Sequence, residues 1–120
     1  TLEIVAALTD DARSRLKKLG YDNVAVHHCD GYNGLPEHAP YDGIIVTAAA
    51  SYIPPALVDQ LKPGGRLVVP LGQPYFSQEL FVVEKDNDGN IHTTDVLPVA
   101  FVPLTGEHVD SQPNQKNSDL

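Results

Sequence analysis

The sequence is poor in cysteine and in basic residues, and it contains no long apolar run. Its single cysteine, Cys29, has no partner for an internal disulfide, which favours a reducing compartment. Cys29 lies between apolar strand residues and a turn, so we interpret it as a small buried side chain and not as a nucleophile. Neither a signal peptide nor a run of membrane-spanning length is recognisable. These absences predict a cytoplasmic protein.

The charge balance argues against phosphate-rich partners. Eight lysines and arginines stand against 16 acidic residues, which gives a formal net charge of −8. Such a chain would repel nucleic acid and anionic membranes, and simple solubility is a sufficient explanation of the excess acid. With 120 residues and a hydrophobic share of 42%, the chain is long enough for one domain, or part of one, with a genuine core.

The order of apolar segments predicts an α/β fold. Apolar residues recur at spacings of three and four between Val5 and Leu19, as on one face of a helix, and Gly20 ends that helix. The consecutive apolar residues 43–46 are typical of a strand that is covered on both faces. Strands are predicted at 1–5, 23–29, 41–50 and 66–72, and helices at 5–19 and 54–61. Alternating strands and helices imply a parallel sheet, at whose carboxyl ends ligands bind.

The pattern changes after Gly72. Two strand-like segments, residues 79–85 and 90–102, are separated by a short turn in which Asp88-Gly89 is a hairpin signal. We therefore expect an antiparallel hairpin at the end of the sheet. Residues 1–106 form the predicted α/β domain, and the polar residues 107–120 form a predicted flexible tail.

Two acidic residues lie at predicted strand ends. Glu3 could accept hydrogen bonds from the two hydroxyls of a ribose, although a surface glutamate at a frayed terminus would look the same. Asp30 could accept a hydrogen bond from an exocyclic amine while Gly31 lets the backbone approach a flat ring, but an ordinary aspartate-glycine turn is the simpler explanation. The five histidines are scattered or point to opposite strand faces, so no metal site is predicted.

Three ordered stretches together resemble a known family. They are "DGYNGLPEHAPYDGIIVTAA", "LKPGGRLVVPLG" and, at the end of the last strand, "FVPLTG". Either of the first two is also compatible with a generic class I methyltransferase. With "FVPLTG" added, residues 1–106 resemble protein-L-isoaspartate O-methyltransferase. The fold implied by this resemblance is a partial Rossmann-like sheet, mostly parallel, with a C-terminal antiparallel hairpin.

The resemblance also implies an activity and a set of site residues. The family transfers a methyl group from S-adenosylmethionine to the free carboxylate of isoaspartyl residues in damaged proteins. By motif, Glu3 would hold the ribose hydroxyls, Asp30 and Gly31 would flank the adenine, and Thr105 would lie near the cofactor. Val102 would contact the isoaspartyl substrate through its backbone.

The chain departs from the family at its start. The family's N-terminal region, its active-site serine, its first strand and its glycine-rich cofactor loop have no counterpart here, so the catalytic residue is unknown. We expect the chain alone to be inactive and to bind S-adenosylmethionine weakly or not at all. The first strand lies in the centre of such sheets, and its absence predicts an exposed edge that favours a homo-oligomer or a strand-swapped dimer.

Two other functions remain open from the sequence. The missing glycine-rich loop would suit a non-catalytic interaction module that kept the methyltransferase sheet. A methyltransferase for another small acid would share the general motifs, whereas "FVPLTG" favours the isoaspartyl substrate.

Overall fold

The computed structural model describes residues 1–73 and 75–109. In this part of the chain six strands and two α-helices follow one another. They are β1 (Leu2–Glu3), α1 (Ala6–Lys18), β2 (His27–His28), β3 (Tyr41–Ile45), α2 (Pro55–Asp59), β4 (Leu61–Leu71), β5 (Gln78–Lys85) and β6 (Ile91–Val99). Short 3₁₀ turns occupy Gly31–Asn33, Pro36–His38 and Glu107–Val109.

The strands form two separate sheets. Strands β1 and β2 pair in parallel, with Glu3 opposite His28. The other four strands lie in the order β3-β4-β5-β6, in which β3 and β4 are parallel and the two later pairs are antiparallel. The α/β prediction is confirmed, and the antiparallel hairpin follows the parallel strands as expected. Each parallel pair is joined through a helix, as chain connectivity requires.

Helix α1 forms where the apolar periodicity predicts it, but its apolar face is largely uncovered. Val5, Leu8 and Leu19 are exposed, and Thr9 is the buried residue of the helix. The reason is that α1 packs on a sheet of only two short strands, which offers little surface to cover. Thr9 is buried because its hydroxyl donates to the carbonyls of Glu3 and Val5.

Strand β4 begins earlier than the sequence pattern predicts. The "KPGG" segment, which lies between the predicted helix 54–61 and the predicted strand 66–72, is inside β4 as an irregularity in its pairing with β3. Tyr41 is opposite Leu61 and Gly43 is opposite Arg66, so the extra residues of β4 bulge between these two pairs. Gly64 supplies the positive φ of +84° that the bulge requires.

The core lies between α2 and the sheet β3-β4-β5. Its buried residues are Leu57, Leu61, Leu67, Val69 and Val83, and partly buried apolar residues such as Ile44 and Phe81 pack around them. Strand β3 is covered on this side only: Ile45 is 75% exposed. The expectation that both faces of residues 43–46 are covered is therefore wrong within the part of the chain that the structure describes.

The hairpin turn forms as predicted. Asp86 accepts hydrogen bonds from the amides of Asp88 and Asn90, and its second oxygen contacts Nε2 of His92 at 2.9 Å. The hydrogen bond with His92 and those from the backbone lower the pKa of Asp86. Gly89 has a φ of +83°, as this turn needs.

The end of the described chain packs onto the domain. Glu107–Val109 form a 3₁₀ turn, and the ring of His108 stacks on Tyr32. The predicted tail continues through residues 110–120, which lie outside the described residues, so the domain boundary at 106 stays a prediction. None of the helices in the described ranges combines the length and the apolar character needed to cross a bilayer.

Candidate functional site

A cavity of about 540 Å³ lies where the two sheets face each other. One wall is β1 with the start of α1, and the opposite wall is β3 with the residues that follow it. Strand β1 pairs with β2 and β3 pairs with β4, so the two other strand edges border the cavity. The stretch Val102–Thr105 closes one end. The cavity thus joins segments that are distant in the sequence.

Glu3 lines this cavity and is held there by its own backbone. Its carbonyl accepts a hydrogen bond from the amide of Cys29 at 3.1 Å, which continues the pairing of β1 with β2. Oε1 of Glu3 accepts a hydrogen bond from the amide of Val5 at 3.2 Å, beside the start of α1. The carboxylate is therefore fixed at a strand end, with acceptor capacity left over.

Asp30 and Gly31 follow β2 but play different parts. Oδ1 of Asp30 accepts a hydrogen bond from the amide of Tyr32 at 3.0 Å and so caps the turn Gly31–Asn33. Gly31 lines the cavity, whereas Asp30 is not among the lining residues. Gly106 packs directly against the Asp30 carboxylate: a Cβ at position 106 would overlap Oδ2 and would lie 2.7 Å from Cγ.

Val102 and Thr105 both line the cavity, in a stretch that is fixed by Ala49. The amide of Ala49 donates to the carbonyl of Val102 at 2.7 Å, and the amide of Leu104 donates to the carbonyl of Ala49 at 2.8 Å. The side chain of Val102 is 71% exposed. Its amide donates no hydrogen bond to any atom of residues 1–73 and 75–109. Val102 thus lines the cavity and has an amide that is unpaired within the described residues.

Three rings tie the loops at this end of the molecule together. The hydroxyls of Tyr32 and Tyr52 are hydrogen-bonded at 2.7 Å, and His108 stacks on Tyr32 with a centroid distance of 4.0 Å and an interplanar angle of 1°. The hydrogen bond with Tyr52 raises the pKa of Tyr32 to about 12, so this phenol stays protonated at neutral pH. The cluster joins the segments after β2, β3 and β6.

A buried glutamine, Gln60, also holds loops of the same region in place. Oε1 of Gln60 accepts a hydrogen bond from the amide of Leu35, and its Nε2 donates to the carbonyl of Asn33. Gly34 allows the close approach, because a Cβ there would overlap the Gln60 amide. The sequence predicts neither these contacts of Gln60 nor the ring cluster. Neither leaves a local signal, because the partners are 20 or more residues apart.

Other reactive groups do not form a second site in the described ranges. No set of three or more histidine, cysteine, aspartate or glutamate side chains is arranged to hold a metal ion there. Burial raises the pKa of the Cys29 thiol, and the nearby carboxylates of Asp30 and Glu37 raise it further. Cys29 is therefore a protonated thiol at neutral pH.

The arrangement defines a class of protein. Parallel strands with crossover helices, an antiparallel hairpin after them, and a cavity between the free edges of β1 and β3 form a partial Rossmann-like methyltransferase fold. Residues 1–109 match the family described as protein-L-isoaspartate(D-aspartate) O-methyltransferase. The chain belongs to this family.

Similar sequences and structures carry the same family name. The "protein-L-isoaspartate O-methyltransferase 2" of Syntrophobacter fumaroxidans is 61% identical over 108 residues, which are 90% of this chain and 44% of the relative. The enzyme of that family from Methanocella arvoryzae is 56% identical over 108 residues, 90% of this chain and 56% of the relative. The chain thus spans about half the length of these curated relatives.

Solved structures show the same fold. A putative family member from Plasmodium falciparum, in complex with S-adenosyl-L-homocysteine, has a TM-score of 0.73 and 30% identity, over 87% of this chain and 50% of that one. Another protein-L-isoaspartate O-methyltransferase has a TM-score of 0.79 and 31% identity, over 88% of this chain and 33% of that one.

The contact of Gly106 with Asp30 predicts that Gly106→Ala is destabilising. The new Cβ would collide with the carboxylate, and a φ of +149° disfavours any side chain. Gly89→Ala is the matched control, because Gly89 also has a positive φ but no atom lies within 4 Å of the added Cβ. We expect Gly106→Ala to lower the free energy of unfolding by roughly 1–2 kcal/mol more than the control, in urea denaturation. Equal losses would show that the contact is absent.

Proposed function

We propose that this chain is the part of a protein-L-isoaspartate O-methyltransferase that contacts both cofactor and substrate. The reaction would transfer a methyl group from S-adenosylmethionine to the free carboxylate of an isoaspartyl residue in a damaged protein. The observation that carries the proposal is the convergence of Glu3, Gly31, Val102 and Thr105 on one cavity. The sequence motifs predict all four as site residues, and they come from three separate segments of the chain.

The residues of the cavity suit an adenosine-containing ligand. Its walls are mostly aliphatic, as in many small-molecule sites. Glu3 would accept the ribose hydroxyls at the strand end, and Gly31 would let the backbone approach the adenine. Asp30 would reach the adenine from the rim, while Thr105 lies on the wall formed after β6.

The substrate end of the cavity would be Val102. Its carbonyl is already bound by Ala49, so the backbone there is held in place while the amide remains a donor. The carboxylate of an isoaspartyl residue is ionised at neutral pH and accepts hydrogen bonds strongly. A fixed amide donor at the wall would thus orient this carboxylate without a charged side chain.

Orientation is the main demand of the reaction. S-adenosylmethionine, when bound, supplies a methyl group that its sulfonium already activates. The carboxylate needs no general base, so the residues of this chain would act by aligning the two reactants and excluding water. No catalytic residue is assigned in residues 1–120, because the family's active-site serine belongs to the N-terminal region.

Binding by the chain alone is expected to be weak. The family's cofactor contacts are shared between the glycine-rich loop and the residues named here, so this chain holds only part of the binding energy. An activity test must distinguish the proposed function from two alternatives, a non-catalytic interaction module and a methyltransferase for another acid. We place the protein in the cytoplasm, since the single cysteine favours a reducing compartment.

The activity can be tested by joining this chain to the part of the Syntrophobacter fumaroxidans relative that precedes its matched residues; we call the product the joined protein. We expect it to transfer labelled methyl groups to an isoaspartyl peptide and not to the matching aspartyl peptide. Residues 1–120 alone are the control and should give no transfer. Equal labelling of both peptides would indicate a different acid substrate, and no labelling by the joined protein would contradict the proposed function.

The role of Glu3 predicts a loss of cofactor affinity on substitution. A hydrogen bond to a charged group contributes roughly 1.5–3 kcal/mol, so Glu3→Ala in the joined protein should weaken cofactor binding by about ten- to a hundredfold in calorimetry. Glu37→Ala is the control, because Glu37 is exposed on a 3₁₀ turn and does not line the cavity. An affinity that matches the control would remove Glu3 from the site.

The two strand edges at the cavity are also the basis of a proposal about self-association. We propose that residues 1–120 associate with a second copy through these edges, as a homo-oligomer or a strand-swapped dimer. Ile4 and Ile45 are exposed beside them and add apolar surface. Light scattering of the chain at high concentration should therefore show dimers or larger species. The joined protein, in which an added strand can cover the edges, should associate less. A monodisperse monomer of the chain would contradict the proposal.

A further inference from the structure

Gln78 has a buried side chain whose amide is hydrogen-bonded to the backbone of one distant residue, Phe101. The relative exposure of Gln78 is 1%. The amide of Phe101 donates to Oε1 of Gln78 at 2.7 Å, and Nε2 of Gln78 donates to the carbonyl of Phe101 at 3.3 Å. A buried amide without partners would cost free energy, so these two hydrogen bonds define where Phe101 lies.

Phe101 lies between the part of the chain that pairs with β5 and the part that is hydrogen-bonded to Ala49. The pairing of β5 with β6 ends with Gln78 opposite Val99. The next backbone contacts are those of Val102 and Leu104 with Ala49. Between them, the side chain of Gln78 pairs with Phe101 as a neighbouring strand would. The stretch that forms the cavity wall is thus anchored on both sides of Val102.

The side chain of Gln78 is itself held in place. Gly72, at the end of β4, packs against it so closely that a Cβ would lie 2.9 Å from Cγ of Gln78. Gly72 has a φ of +151°, which suits glycine and disfavours other residues. The aliphatic part of Gln78 is therefore confined by the backbone of Gly72, while its amide is bound to the backbone of Phe101.

We infer that Gln78 is a positioning residue for the substrate: it fixes Phe101 and thereby the backbone of Val102 at the cavity wall. The inference rests on the proposed function and adds a residue to it. Glu3 and Gly31 belong to other segments, and Thr105 follows Leu104, whose amide is bound to Ala49 independently of Gln78. Loss of the Gln78 hydrogen bonds should therefore weaken recognition of the isoaspartyl peptide and leave cofactor binding unchanged.

The test uses the joined protein with Gln78→Met, which keeps the length of the side chain and removes both hydrogen bonds. Gln78→Leu is the second variant: it also removes both hydrogen bonds, with a shorter apolar side chain, and covers the case in which one substitution prevents folding. We expect the KM for the isoaspartyl peptide to rise about tenfold, as for the loss of roughly one net hydrogen bond, with the cofactor Kd unchanged. Hydrogen exchange of the Phe101 amide should become faster.

Two controls separate positioning from general damage. Gln73→Met makes the same chemical change at an exposed loop residue and should alter neither constant. Gln60→Met removes an equivalent buried pair of hydrogen bonds near Asn33 and Leu35, on the cofactor side, so it should raise the cofactor Kd and leave the peptide KM unchanged at saturating cofactor.

The outcomes distinguish this inference from the function on which it rests. If the unsubstituted joined protein methylates the isoaspartyl peptide, a folded Gln78 variant with an unchanged KM overturns the inference alone. A KM and a cofactor Kd that rise together would also overturn it, since they would show a merely structural role. If the unsubstituted joined protein does not methylate that peptide, the proposed function fails and the inference fails with it.

Discussion

The pairing of β4 on both of its edges is the constraint on which the rest of this structure depends. Strand β3 lies parallel to it on one side and β5 antiparallel on the other. Its residues Leu61, Leu67 and Val69 are almost completely buried and supply most of the core. Because each added strand fixes the register of the next, β4 sets where β3 ends, where the loop after Gly72 begins and where β6 leaves the sheet.

Outside the sheets, buried side-chain amides provide the hydrogen bonds that a neighbouring strand would otherwise provide to the backbone. Gln60 pairs with the loop after β2, and Gln78 pairs with the stretch after β6. Both glutamines lie next to a glycine with a positive φ: the lack of a Cβ makes room for the amide of Gln60 at Gly34 and for the aliphatic part of Gln78 at Gly72. The backbone polar groups of these irregular segments are thereby satisfied, which lets loops stay ordered at a cavity wall.

The cavity lies between the two sheets and not within either of them. Strands β1 and β2 carry Glu3, while the four-stranded sheet carries the stretch with Val102 and Thr105. The stacking of His108 on Tyr32 and the contact of Gly106 with Asp30 connect the two sides. Recognition of ribose and recognition of a carboxylate would therefore come from separate units, and their relative placement would depend on these few contacts.

The sequence alone determined the features that local patterns specify. These are the α/β order, the helix that Gly20 ends, the hairpin at Asp88-Gly89 and the family to which the chain belongs. Local patterns do not report what covers a surface. For that reason they do not predict the exposure of Ile45 and of the apolar face of α1, or the start of β4 at Leu61 with a bulge in "KPGG". The tertiary structure alone decided the contacts between residues far apart in the chain: Gln78 with Phe101, Tyr32 with His108, and Gly106 with Asp30. Such contacts depend on sheet register and on the packing of loops, which no short stretch of sequence contains.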